Sequence, residues 1–168
     1  LASSTNYSLK IWTSLPNGNA LDKNNNNDTA LTSLSNMIAN GMGGYYYIGS
    51  HSGDFANFKA AVTALITNGV CDNVTFLVRD STYNEQVTIP SISGTSATKR
   101  VTFTSLSNDY SKVKLTYPSA TSSANNYVLQ LNGADYFIFN NITFERTGSN
   151  TYAIITDIRN ASNNNTFN

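Results

Sequence analysis

Charge is what this chain has least of. Asp, Glu, Lys and Arg make up 12% of it, with ten acids against ten bases, about half the usual charged share. A surface without net charge has no electrostatic hold on nucleic acid or an anionic membrane, so neither is an expected partner. There is one cysteine, Cys71, so no disulfide can close within the chain. Lying between Val70 and Val74, Cys71 reads as a small buried apolar residue, because a reactive thiolate would need a base and His51 is the one histidine. His51 sits in Gly49-Ser-His-Ser-Gly53 and reads as an exposed loop residue. It cannot build a zinc site by itself. No run approaches the ~20 apolar residues of a membrane span. No signal peptide is visible, and no phosphate loop or dinucleotide fingerprint is present. Leu1 stands where an initiator Met would, which points to a start inside a longer precursor.

Amides and hydroxyls take the place of charge. Asn occurs 25 times, and Ser and Thr are abundant. Such a surface works through neutral hydrogen bonds, a style common outside cells.

Tyr127–Arg146, YVLQLNGADYFIFNNITFER, holds the clearest pattern. Leu129 and Leu131 share a face, then Phe137 and Phe139, then Ile142 and Phe144. This period of two predicts three short strands. Gly133-Ala134-Asp135 and Asn140-Asn141 are the corners between them. Corners this short suit a chain that turns like a coil and stacks each turn on the last.

The preceding chain divides at Gly41–Gly44, a flexible joint. Before it, Tyr7–Thr13 alternates like a strand and Ala30–Ser35 supplies a second, as in the last hairpin of a β-sandwich. The loop between them sets oxygen side chains at Asp22, Asn24, Asn26 and Asp28, an alternation that calcium loops share. The turn glycine is absent and Ser33 stands where the closing carboxylate would, so a solvated turn is the simpler reading and calcium the one to test. After the joint, Tyr45–Ile48 is a strand whose tyrosines read as half buried, with sugar stacking the alternative. Asp54–Asn68 is the one helix, with Asp54 as its cap and Asn68-Gly69 as its stop. Strands follow at Val74–Val78, Gln86–Ile89, Val101–Phe103 and Lys112–Tyr117, with a turn at Ser81–Asn84. Tyr127 to Tyr152 is a 25-residue step, and the Asn-Asn before Thr143 recurs 23 residues on, before Thr166. A period of ~20–30 residues made of strands and corners indicates a β solenoid. Asn140, Asn141, Asn164 and Asn165 would then form Asn ladders at its corners.

The segments GDFANFKAAVTALITNGV, VTFLVRDSTYNEQVTIP and LNGADYFIFNNITFERTGSN carry a resemblance. Over about residues 40–168 the chain resembles the right-handed parallel β-helix domains, of the pectin-lyase-like superfamily, in very large secreted surface proteins of gliding bacteria. In those proteins a segment similar to Tyr45–Asp54 leads into a capping helix. The hairpin at 7–35 is similar to the end of Ig-like adhesion modules. The resemblance implies an all-β fold, with a capping helix and first turns over 41–168, preceded by a module end over 1–40. It also implies export by the type nine secretion route. O-glycans at Thr29 and Ser81 are implied as well, because Asp28-Thr29-Ala30 and Asp80-Ser81-Thr82 match the acceptor triplet of such proteins.

Enzymes with this fold use clustered carboxylates beside an Arg or Lys. The candidates here are Asp80, Glu85, Asp135, Glu145 and Asp157, with Arg146 and Arg159 nearby. Glu145 and Asp157 are expected on neighbouring turns as solvated ion pairs, and no lyase, hydrolase or esterase signature is present. The leading expectation is therefore a non-catalytic, extracellular structural or adhesive segment that contacts carbohydrate, with no catalytic set among these residues. The alternatives are the first part of a polysaccharide lyase or glycoside hydrolase, and a self-assembling filament subunit. Further turns of the same chain, or copies of it, are the expected partners at the Asn168 end.

Overall fold

The computed structural model describes residues 8–12, 29–33, 41–49, 53–118, 122–148 and 154–168. The chain divides into two compact units, Leu1–Ala39 and Asn40–Asn168. In the first, β1 (Ser8–Trp12) pairs antiparallel with β2 (Thr29–Ser33), and Ile11 stands opposite Ala30. Asp22, Asn24, Asn26 and Asp28 lie outside the described residues, as do His51 and Tyr152.

The second unit is mostly β, with one α-helix, and all its strand ladders are parallel. After β3 (Met42–Ile48) and α1 (Phe58–Asn68), the chain visits three sheets in a fixed order. The first pass is β4 (Val70–Val78), β5 (Ser81–Asn84) and β6 (Val87–Pro90). The second is β7 (Val101–Ser105), β8 (Val113–Tyr117) and β9 (Leu129–Asn132). The third is β10 (Phe137–Asn140), β11 (Thr143–Arg146) and β12 (Thr156–Arg159), and β13 (Thr166–Phe167) begins another. The first sheet runs β13-β10-β7-β4-β3, the second β11-β8-β5 and the third β12-β9-β6.

Period-two alternation turns one face of every strand inward. Tyr46, Phe76, Phe103, Phe139 and Phe167 are register partners on consecutive strands of the first sheet. Phe76 and Phe103 stack at 4.6 Å between ring centroids, Phe103 and Phe139 at 5.6 Å, and Phe139 and Phe167 at 5.0 Å. Val87, Ile89, Leu129 and Leu131 from the third sheet and Val113 and Leu115 from the second complete the same buried cluster.

α1 buries Phe58, Ala61, Val62 and Leu65. Its cap is Asn57, whose Oδ1 accepts from Ala60 N at 2.9 Å. Asp54, the expected cap, instead accepts from Tyr47 N at 2.8 Å. The reason is Phe55, which bridges to Ile48 and sets its ring against Tyr46 and Phe76, so residues 54–56 belong to the sheet edge. Gly69 stops the helix at φ 64, and a Cβ there would lie 2.8 Å from Ser93 O. Glu85 closes the remaining N-terminal donors from outside the helix. Its Oε1 accepts from Phe58 N at 2.9 Å and its Oε2 from Lys59 N at 3.1 Å. A carboxylate there satisfies free helix N–H groups and faces the positive end of the helix dipole.

Three expectations change here. Ser81–Asn84 is a strand and not a turn, because Tyr83 points inward opposite Leu115. Cys71 is exposed. The β3–β4 register shifts between Met42 and Gly44, and Cys71, Asp72 and Asn73 bow out of the ladder. Thr166 and Phe167 stack on Ile138 and Phe139, so they are not equivalent to Thr143 and Phe144. Residues that meet between passes are 27 to 33 apart in cases such as Gln130–Asp157 and Asn108–Asn141.

Phe103→Ala should lower unfolding stability by about 3–5 kcal/mol, and Phe167→Ala, at a partly exposed position, by under about 1.5 kcal/mol. Urea titration of both variants tests this, and equal losses would contradict a core centred on Phe103. Glu85→Ala should cost about 1–3 kcal/mol, read as a lower urea midpoint at unchanged slope.

Candidate binding face

The outer face of the first sheet presents two columns. One runs Tyr45, Thr75, Thr102, Ile138 and Thr166. The other runs Tyr47, Leu77, Thr104 and Asn140, and Asn168 Nδ2 donates to Asn140 Oδ1 at 2.8 Å. None of these residues carries a charge. Parallel spacing makes the face ~19 Å long. Tyr45 is 74% exposed and Tyr47 38%. The Arg79 guanidinium lies 5.4 Å from the centroid of Tyr47, which steadies the ring by cation–π attraction. Tyr46 points the other way into the core. The half-buried reading of the triplet thus holds for its middle member alone.

Asparagines hold the corners. Asn108, Asn141, Asn160 and Asn164 adopt left-handed φ of 57, 52, 52 and 58°, a conformation in which Asn is enriched. Asn141 Nδ2 donates to Asn108 Oδ1 at 2.6 Å, and Asn160 Nδ2 to Asn132 Oδ1. Asn165 accepts from Phe137 N and donates to Ala134 O, both at 2.8 Å. Asn140, Asn141 and Asn165 therefore make structural bonds between passes, with partners other than those the sequence echo suggests.

The five candidate carboxylates are dispersed. Asp80 accepts from Ser107 Oγ at 2.6 Å, and Asp135 from Asn163 N. Glu85 is bound to α1. Glu145 in β11 lies 3.7 Å from Lys114. Asp157 in β12 accepts from Gln130 Nε2 at 2.9 Å and pairs with Arg159. Glu145 and Asp157 belong to one pass and different sheets, not to neighbouring turns. Among the described residues no three His, Cys, Asp or Glu side chains group closely enough to hold a metal. Among these residues, too, no helix is long and apolar enough to cross a membrane. Thr29 begins β2, and Ser81 begins β5 in an exposed position.

A second feature lies beside α1, a groove of about 370 Å³. Lys59, Val62, Thr63 and Ile66 form its helical side, and Gln86, Val87, Thr88 and Tyr127 form the other. Tyr127 is nearly buried, and its hydroxyl lies 2.8 Å from Thr88 Oγ1. Gln86 Nε2 donates to Asn125 O and Tyr127 O, both at 2.8 Å. Sequence reading missed this groove, because the wall opposite α1 is assembled by contacts 39 and 41 residues apart.

No family model matches the chain, and neither does any curated protein or solved structure.

Among the described residues two groups titrate away from their ordinary values. Asp109 is held low by the Ser111 hydroxyl and amide. Burial pushes the Tyr83 phenol up to about 12, with the nearby Glu85 charge adding to the rise. Tyr83 also donates to Arg79 O at 2.9 Å. An unfolded tyrosine ionises near pH 10, so Tyr83 contributes its full stability below that pH and loses it as pH rises to about 12. Tyr83→Phe should flatten the fall in urea midpoint between those two pH values. An unchanged slope would show that the phenol ionises freely in the folded state.

Proposed function

We propose that Asn40–Asn168 is a right-handed parallel β-helix of the pectin-lyase-like kind, serving as a rigid extracellular segment of a large adhesive surface protein. The observation that carries this reading is the fixed order in which three passes visit three parallel sheets. A strand-to-parallel-strand crossover is right-handed in about 98% of sheets, which supports the hand. α1 is read as the N-terminal cap, since it buries an apolar face against the same core. Two features recommend a spacer: register-matched backbone pairing along its length, and a neutral exterior. The expected resemblance to gliding-bacterial surface proteins adds type nine secretion, an Ig-like module end at residues 1–40, and O-glycans at Thr29 and Ser81. Calcium at Asp22–Asp28 is part of the same proposal.

The uncharged face bearing Tyr45 and Tyr47 is the proposed contact for neutral polysaccharide. Aromatic rings beside hydroxyl and amide columns suit sugar rings, which have apolar faces and hydroxyl edges. A lyase or hydrolase would need two or more carboxylates within ~5–10 Å, and each described candidate already serves a separate local partner. A second reading concerns the Asn168 end. Ile158 is 53% exposed and Phe167 41%, and β11, β12 and β13 are edge strands there. Further turns of the same chain, or a copy of it, would cover those edges.

A neutral glycan panel tests the main reading. Binding should be insensitive to salt and should fall about tenfold in Tyr45→Ala/Tyr47→Ala, while the melting temperature stays near that of the parent. Binding that survives the double substitution, or that collapses in salt, would refute the proposed face.

A further inference from the structure

We infer that the groove between α1 and β6 is a docking site for an extended, acidic peptide that adds a strand to the free edge of β6. The inference rests on backbone direction. β6 is the last strand of its sheet on the α1 side. Val87 N donates to Val128 O at 2.9 Å, toward β9. Thr88 is the next residue, so its N–H and C=O turn to the opposite edge. Among the described residues nothing bonds to either group. The first sheet gains β3 beyond β4 at this end, whereas the third sheet ends at β6. A free strand edge beside a groove is the geometry that β-augmentation uses. Main-chain bonds supply the hold, and alternate side chains supply the choice.

The lining names the partner's chemistry. Val62, Ile66 and Val87 give an apolar wall, and Ile66 is largely exposed. Lys59 is exposed, and its ammonium makes no ion pair among the described residues. The lining contains no carboxylate. A peptide of apolar residues alternating with Glu therefore matches the groove in both pattern and charge. The far wall is ready-made, because Tyr127, Thr88 and Gln86 are already tied to one another and to Asn125. The site is independent of the tyrosine face.

The test is a titration of the full chain with blocked heptapeptides that alternate Val and Glu, followed by amide NMR. Shifts should concentrate at Lys59–Ile66 and Gln86–Thr88. Lys59→Gln should weaken binding about tenfold, as loss of a charge-assisted bond would. N-methylation of the peptide gives the sharper readout. Methyls on one alternate set of amides should abolish binding, and methyls on the other set should leave it unchanged, since strand pairing uses every second amide. Equal tolerance of both sets, shifts located elsewhere, or no binding at about 1 mM peptide would overturn the proposal. Neutral glycan tested alongside should shift Tyr45 and Tyr47 and leave Thr88 still, so either reading can fail without the other.

Discussion

Register is the constraint on which the rest of the second unit depends. Each inward residue must lie over an inward residue of the next pass, because a one-residue slip would turn every buried side chain outward. The column from Tyr46 to Phe167 shows the demand at its strongest. Stacked rings add about 0.5–1.5 kcal/mol per pair beyond the area they bury. Parallel sheets are usually covered on both faces, yet here Tyr45 and Tyr47 stand exposed on the outer side of the first sheet. The inner face therefore supplies most of the cohesion, and the aromatic column lies at its centre.

The same register explains the composition. In-register stacking brings equivalent side chains to about 4.8 Å, and like charges at that spacing repel. Amides and hydroxyls can stack in this way without penalty, and an amide both donates and accepts. At the corners Asn does a second thing, since it tolerates the left-handed backbone that a sharp change of direction needs. Asn108, Asn141 and Asn160 combine both properties. Some of the charge that does occur is paired between neighbours, as in Lys114 with Glu145 and Arg159 with Asp157.

Glu85 shows how a residue type can mislead. As one of the few carboxylates in a chain of low charge, it invites a catalytic reading. Its two oxygens instead hold Phe58 N and Lys59 N, which fixes α1 above β5 and β6. The groove lies between the helix so held and β6, the edge strand of its sheet.

Much of the fold was legible in the residues. The three strands of Tyr127–Arg146 and the helix stop at Gly69 follow from local signals, namely alternation and glycine. Other features were hidden because their causes are distant in sequence. Tyr83 lies in a strand that polar neighbours disguise as a turn, and only its partner Leu115 reveals it. Asn57 replaces Asp54 as the cap because Phe55 is drawn to Phe76. The sequence by itself determined which residues alternate, where the chain can bend and that its surface is neutral, since these are properties of adjacent side chains. Tertiary structure alone decided which asparagines meet, which carboxylates are occupied and which strand edge stays open, because each depends on loops of unequal length bringing residues about thirty apart into contact.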